Sequence, residues 1–256
     1  MIASQLPLLV FIALAYLIGL PAFWVTTQNV PVGWQVGLFI LGSYGTALAA
    51  WITLTGFRLP DEARALRARL KKWRVRPLDL AAAVGLPTAV WLVAALSLWG
   101  PVWPAGLPWV SLAGFPLIYL TNFGEEIGWR GYALPRLLTG LRPAGASLVL
   151  GLLWGGFHLS LYWSRPLFAG LFLATAPALS ICLTWLFQRS GGSVPLTALL
   201  HAVYNTWAQV ILPEGGETAL FLAAGLLWAA AVFLLARFGP GLGAAPTETS
   251  GRPPAE

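Results

Sequence analysis

The chain has 256 residues, of which 58% are hydrophobic and only 9% are charged. Soluble domains carry about 25% charged residues, so this chain lacks the polar surface of a water-exposed globule. The net charge of +6 lies mainly in one short loop, a distribution that argues against nucleic-acid binding. Several apolar runs reach the roughly 20 residues that a spanning helix needs. The composition therefore predicts a membrane protein whose partner is the lipid bilayer.

The apolar segments predict an all-α, polytopic membrane bundle of about eight transmembrane helices. The predicted spans are 6–26, 33–56, 78–100, 108–123, 144–163, 166–188, 193–212 and 217–237. A further short helix is expected at about 125–139. The first basic residue is Arg58, so the N-terminal run lacks the positive region of a signal peptide and is interpreted as a retained span. The predicted organisation is an N-terminal part, 1–107, a core, 108–238, and a disordered tail rich in Gly and Pro, 239–256.

The basic loop, 58–77, fixes the predicted orientation. By the positive-inside rule this loop is cytoplasmic, and threading from it places every Lys and Arg except Arg165 on the same side. We therefore expect a multi-pass protein of the cell membrane with both termini in the cytoplasm. Two interpretations of the loop are open. It is a topological anchor with Leu66, Leu70 and Trp73 facing lipid, or it recruits a substrate or partner. We favour the anchor, because such loops are usual in membrane proteins.

Ionisable residues inside the predicted spans are the main functional signal. Such groups are costly in lipid and usually mark a functional site. Both histidines of the chain, His158 and His201, fall in spans, and Glu125 and Glu126 lie near the end of the fourth span. Each histidine alone could be an interhelical hydrogen-bond partner. Their coincidence with the two carboxylates favours a site.

Helical spacing divides these residues into groups. Glu126 and Arg130 are four residues apart, so they share a face, can form an ion pair and are expected to be mainly structural. Glu125 is then free to point elsewhere. His201 and Asn205 share the same spacing, as do Trp154 and His158, and Gly155 and Gly156 would let another helix approach closely. The predicted cluster is Glu125, His158, His201 and Asn205.

This set of side chains suits peptide-bond hydrolysis by an activated water. A Glu beside a His in a low-dielectric cavity can act as a general base, while a second His and an amide can donate hydrogen bonds to an oxyanion. Neither Gly-x-Ser-x-Gly nor His-Glu-x-x-His occurs, so a serine-hydrolase elbow and a zincin helix are excluded. Glu125, His158 and His201 are nevertheless a sufficient ligand set for a catalytic zinc. The sequence leaves zinc-bound and metal-free water open.

Three motifs together resemble the CPBP family of intramembrane endopeptidases, which includes CAAX prenyl proteases of the Rce1 type and bacteriocin-processing (ABI) proteins. They are EEIGWRGYALPRL from Glu125, WGGFH ending at His158, and HAVYN from His201 to Asn205. The sequence departs from the family pattern at Trp154, where Phe is usual, and we interpret this as a mild variation that keeps a large aromatic ring. The resemblance covers about residues 108–212.

The resemblance implies an active-site cavity toward the cytoplasmic side. It implies that Glu125 and His158 activate water, that His201 and Asn205 stabilise the oxyanion, and that Glu126 and Arg130 brace the site. The expected function is that of a glutamic or zinc-dependent endopeptidase, and the expected partner is a peptide or protein substrate, including one associated with the membrane. The alternative is a non-catalytic scaffold or self-immunity protein of the same fold. A transporter is disfavoured because no repeat of broken helices is visible.

Overall fold

The computed structural model describes residues 2–104 and 109–243, and the predicted disordered tail, 239–256, lies mostly outside them. Within the described ranges every regular element is helical, as the sequence predicts. The α-helices are α1 (Ile2–Thr26), α2 (Val32–Gly56), α3 (Pro60–Leu70), α4 (Pro77–Trp99), α5 (Phe115–Glu126), α6 (Leu134–Leu137), α7 (Pro143–Phe157), α8 (Pro166–Arg189) and α9 (Val194–Phe238). A π-helix, Ile127–Ala133, joins α5 to α6, and 3-10 turns cover Trp109–Gly114 and Leu159–Tyr162.

Proline marks where many of these helices begin. It occupies the first turn of α3, α4, α5, α7, α8 and α9. The first turn of a helix has backbone N–H groups without helical partners, so a residue that lacks an N–H is tolerated there. Much of the high proline content therefore defines helix starts.

Five described helices are long and apolar enough to cross a membrane: the α1 segment Gln5–Thr26, α2, α4, α8 and α9. Gly216 adopts φ 53° and ψ −146° and divides α9 into two arms that match the predicted spans 193–212 and 217–237. The predicted span 144–163 corresponds to α7 followed by a 3-10 turn.

The region around 108–139 differs from the prediction. The α-helix begins at Phe115, and residues 105–108 lie outside the described part of the chain. The helix predicted at about 125–139 is present up to Leu137, but it is not separate from the preceding helix, because α5 continues through the π-helix into α6 without a break. The predicted boundary at residue 107 separates helices that share one hydrophobic cluster, to which both Phe11 of α1 and Leu183 of α8 belong.

The basic segment forms a short amphipathic helix, α3, across one end of the bundle. Its Leu66 is only 8% exposed, and a Cβ on Gly131 of the π-helix would lie 2.6 Å from the Leu66 side chain. The expectation that Leu66 faces lipid is therefore wrong: its side chain packs against the core. Trp73, by contrast, is 62% exposed, as an interfacial residue should be.

Candidate active site

The two adjacent carboxylates lie where α5 passes into the π-helix. The hydroxyl of Thr46 on α2 donates to the carbonyls of Gly124 and Glu125, both at 3.1 Å. Gly128 lets α2 approach, since a Cβ there would lie 2.4 Å from Cβ of Thr46. π-Helical turns inside α-helices occur frequently at functional sites. The helix α2 thus holds the backbone at this turn.

Glu125 faces α7. Its Oε2 accepts a hydrogen bond of 2.9 Å from the indole Nε1–H of Trp154 and lies 3.5 Å from Nε2 of His158. Nδ1 of His158 is 2.9 Å from the carbonyl oxygen of Trp154, which can only accept, so Nδ1 carries the proton. In the neutral ring the Nε2 lone pair is then directed toward the region of the Glu125 carboxylate, and Glu125 is only 2% exposed. The predicted Glu125–His158 partnership is present in the structure.

Trp154 contacts both halves of the site. Besides its hydrogen bond to Glu125, its ring lies 5.1 Å from the guanidinium carbon of Arg130 and meets the His201 ring edge-on at 4.9 Å. A phenylalanine could make the ring contacts but could not donate to Glu125. Trp154 is therefore more than the mild aromatic variation expected from the sequence.

Glu126 faces α9. Its Oε1 accepts from Nη1 of Arg130 at 2.9 Å, as predicted, and lies 3.0 Å from Nδ1 of His201. Glu126 and Arg130 are both fully buried, and His201 is 1% exposed. The sequence predicted a structural Glu126–Arg130 pair but missed the contact with His201. Glu126 is thus part of the site, because it orients a predicted site residue.

Asn205 also pairs with a residue that the sequence analysis missed. Its Nδ2 donates to Oδ1 of Asn122 on α5 at 3.2 Å, and Asn122 is 3% exposed. Asn122 and Glu126 are four residues apart on α5, and they face Asn205 and His201, four apart on α9. The spacing before Glu126 was the signal that could have identified Asn122. The four predicted residues therefore lie in two places. Glu125 and His158 face each other, while His201 and Asn205 on α9 contact Glu126 and Asn122 on α5.

Aromatic rings enclose His158. Phe23 stacks on it at 5.4 Å, and Phe157 and Phe172 each lie at 5.3 Å between ring centroids. Gly155 and Gly156 permit this packing as predicted: a Cβ on Gly155 would lie 2.9 Å from Leu173 of α8, and one on Gly156 would lie 2.7 Å from the Tyr16 hydroxyl. An apolar enclosure excludes bulk water and strengthens electrostatic interactions inside it.

The candidate zinc ligands have suitable donor chemistry but do not assemble. Nδ1 of His158 and of His201 are both bonded to oxygen acceptors, which leaves each Nε2 available, a pattern typical of metal-binding histidines. In the part of the chain that the structure describes, however, no three His, Cys, Asp or Glu side chains form a group that could hold a metal ion. Glu125, His158 and His201 do not converge on one point in this arrangement.

A cavity of about 390 Å³ begins beside this site. Asn122 and Asn205 line its inner end, and it extends past Ile118 to Gln35 and Thr26 near the α1–α2 turn. This turn lies at the end of the bundle opposite the basic segment, whereas the family resemblance implied a cavity toward the cytoplasmic side, the side predicted for that segment. The described lining contains amides, hydroxyls and apolar groups but no charged side chain.

The fold and the buried groups define a class: a polytopic helical membrane protein with a Glu, His and Asn site enclosed between α5, α7 and α9. Residues 104–207 match the model of a protein family described as Type II CAAX prenyl endopeptidase, Rce1-like. A curated relative named CAAX prenyl protease 2, from Methanococcus maripaludis, is 28% identical over 131 residues. These two matches confirm the resemblance to the CPBP and Rce1-like family that the three motifs predict.

The similarity is limited to part of each protein. The aligned region covers 46% of this chain and 48% of the relative from M. maripaludis, so the chain spans about half the length of the curated relative it matches. The matched residues include all three motifs and end two positions after Asn205.

Proposed function

We propose that this protein is an intramembrane endopeptidase that hydrolyses a peptide bond of a peptide or protein substrate. The single observation that carries the proposal is the buried Glu125 carboxylate, held at 2.9 Å by the Trp154 indole and facing Nε2 of His158 at 3.5 Å. A carboxylate and an imidazole lone pair at this separation can both accept from one water molecule. The match to the Rce1-like family supports the same chemistry.

In the proposed reaction Glu125 accepts a proton from the water held with His158, and the water oxygen attacks the peptide carbonyl carbon. The carbon–nitrogen bond of the resulting tetrahedral intermediate then breaks, and Glu125 returns the proton to the leaving amine. Enclosure by Phe23, Phe157 and Phe172 keeps other water molecules from the reacting groups.

Asn205 and His201 stabilise the oxyanion in this proposal. Asn205 has a second amide hydrogen beyond the one it gives to Asn122, and the residue lines the cavity. His201 donates from Nε2 only in its imidazolium form, because Nδ1–H is directed at Glu126. Glu126, itself held by Arg130 at 2.9 Å, fixes the orientation of the His201 ring, so Glu126 and Arg130 act through His201 as positioning groups.

The cavity beside Asn205 indicates the kind of peptide segment that fits. Because its described lining carries no formal charge, an acidic or basic side chain would lose its hydration there without gaining a counter-ion. We therefore propose that uncharged residues of a membrane-associated substrate occupy this cavity. The protein acts in the cell membrane, with both termini in the cytoplasm.

The experiment uses the full chain in liposomes with a mixed peptide library, and cleavage is measured by mass spectrometry. Loss of a general base typically costs about 10²–10⁴ in rate, so Glu125→Gln should lower cleavage by that factor. Glu214→Gln is the matched control. Glu214 is an exposed carboxylate of α9 near Gly216, so this variant should cleave the peptides as the wild type does. Equal cleavage by Glu125→Gln and the wild type would refute the proposal and favour a scaffold or immunity role.

The same samples test the role of zinc. Metal content is measured for the wild type, His158→Ala and His201→Ala. Active wild-type protein without bound zinc supports the water activation proposed here. One zinc per chain that both histidine variants lose would show instead that the site reorganises around a metal.

A further inference from the structure

A second cavity lies at the basic end of the bundle, between α3 and the segment that follows the candidate site. Its volume is about 330 Å³, and its lining includes Glu62 and Arg69 of α3, with Gly131 and Arg136 opposite them. Nothing in the proposed reaction uses this cavity. It shares no lining residue with the cavity beside Asn205, and it borders the π-helix that follows Glu126.

The charges around this cavity are unbalanced. Glu62 accepts from Nε and Nη2 of Arg136 at 2.8 and 2.7 Å, so its negative charge is already paired. Arg69 has no carboxylate within ion-pair distance in the part of the chain that the structure describes, and its partial burial lowers the pKa of its guanidinium. A desolvated cation of this kind is stabilised by an incoming anion.

Arg69 contacts the backbone of the π-helix. Its Nη1 donates to the carbonyl of Gly131 at 3.0 Å. This hydrogen bond uses one N–H of the guanidinium and leaves its other donors for a ligand. Arg69 thus joins the cavity to the backbone of the π-helix.

The surface around α3 extends the positive charge. Four exposed cations have no carboxylate partner within the described residues: Arg58, Arg67, Lys71 and Arg74. Trp73 lies among them and is 62% exposed, and Phe57 is 37% exposed. Exposed aromatic residues beside basic residues are typical of the membrane–water interface, where anionic phospholipids present phosphate groups.

We infer that the cavity between α3 and Gly131 binds the phosphate of an anionic phospholipid headgroup through Arg69, with the surrounding cations in and beside α3 adding affinity. Phosphate accepts well from a guanidinium, which offers several donors in a fixed plane. Because Arg69 also donates to Gly131, headgroup binding orders the π-helix that follows Glu125 and Glu126. The inference concerns binding and local order, so it stands apart from the proposed catalysis.

Binding is tested on the full chain in nanodiscs of phosphatidylcholine, titrated with a fluorescent phosphatidylglycerol. Each basic residue near an anionic surface contributes about five-fold in affinity, so Arg69→Gln should weaken binding by at least that factor. Glutamine can still donate a hydrogen bond but has no charge. Arg165→Gln removes one exposed cation at the opposite end of the bundle, where it is paired with Glu217, and should leave the affinity within about two-fold of the wild type. Equal affinities for the two variants would overturn the inference.

Hydrogen exchange of the amides in Ile127–Ala133 provides a second readout. Phosphatidylglycerol should slow this exchange in the wild type and in Arg165→Gln but not in Arg69→Gln. A parallel arm replaces the lipid with inorganic phosphate. Failure of phosphate to compete supports a lipid source, whereas protection by phosphate alone that depends on Arg69 would overturn the lipid assignment in favour of a free phosphate site.

Discussion

The two carboxylates of the candidate site are adjacent in sequence but lie in contrasting surroundings. Glu126 has two close partners on one oxygen, Arg130 at 2.9 Å and His201 at 3.0 Å, and it is fully buried. Glu125 has one short hydrogen bond, from Trp154, and a longer approach to His158 at 3.5 Å. Glu126 is therefore held through its Oε1 by the Arg130 guanidinium and the His201 ring, while Glu125 retains acceptor capacity for another molecule.

This contrast separates a group that maintains the site from one that is available for chemistry. An ion pair buried away from water costs desolvation energy, which its geometry must offset. A general base, in contrast, needs an accessible lone pair near its substrate. Neighbouring residues on a helix point about 100° apart, so one turn can hold both kinds of carboxylate. The experiments below test whether the two carboxylates differ in this way.

The largest expected effect is on stability, from Glu126→Ala. Removing this carboxylate leaves Arg130 buried without its counter-ion, and breaking a buried pair costs about 3–5 kcal/mol. Urea unfolding in detergent micelles should show that loss for Glu126→Ala. Glu125→Gln should unfold within about 1 kcal/mol of the wild type, because a neutral amide can still accept from Trp154. Equal destabilisation by the two substitutions would contradict the contrast between the carboxylates.

Much of the site could be predicted from helical spacing. The Glu126–Arg130 pair follows from a separation of four residues, and the same spacing placed His201 with Asn205 on one face. The apolar runs predicted the helices, since lipid requires backbone hydrogen bonds within each spanning segment. These features depend on one helix at a time, which is why periodicity was sufficient.

Contacts between helices could not be predicted in this way. The sequence assigned His201 to Glu125, whereas the packing of α9 against α5 directs it to Glu126. The π-helix changes the direction of side chains after Glu126, and the spacing of apolar residues in the sequence does not predict it. Leu66 was expected to face lipid because α3 is basic, but Gly131 opposite it leaves room for that side chain in the core. Each of these features depends on which surfaces meet.

The Trp154→Phe substitution tests how Glu125 is held. It retains a ring for Arg130 and His201 but removes the indole N–H that donates to Glu125 at 2.9 Å. Loss of a hydrogen-bond partner at a buried group costs about 1–3 kcal/mol, so cleavage should fall by roughly ten-fold. The fall should appear in kcat, because Glu125 acts on the chemical step. Trp163→Phe is the control. Because Trp163 is 81% exposed, this variant should cleave the substrate as the wild type does.

The smallest expected effect concerns Asn122, which accepts from Asn205 at 3.2 Å. Replacing it with leucine leaves the Asn205 amide free to rotate, and an ordinary hydrogen bond contributes about 0.5–1.5 kcal/mol, which corresponds to a few-fold loss of kcat. Asn122→Asp restores an acceptor and should recover part of that loss, whereas Asn29→Leu, at an exposed position in the α1–α2 turn, should have no effect. If Asn122→Leu matched the wild type in kcat, other contacts would orient Asn205, and the hydrogen bond from Asn205 to Asn122 would have no role in catalysis.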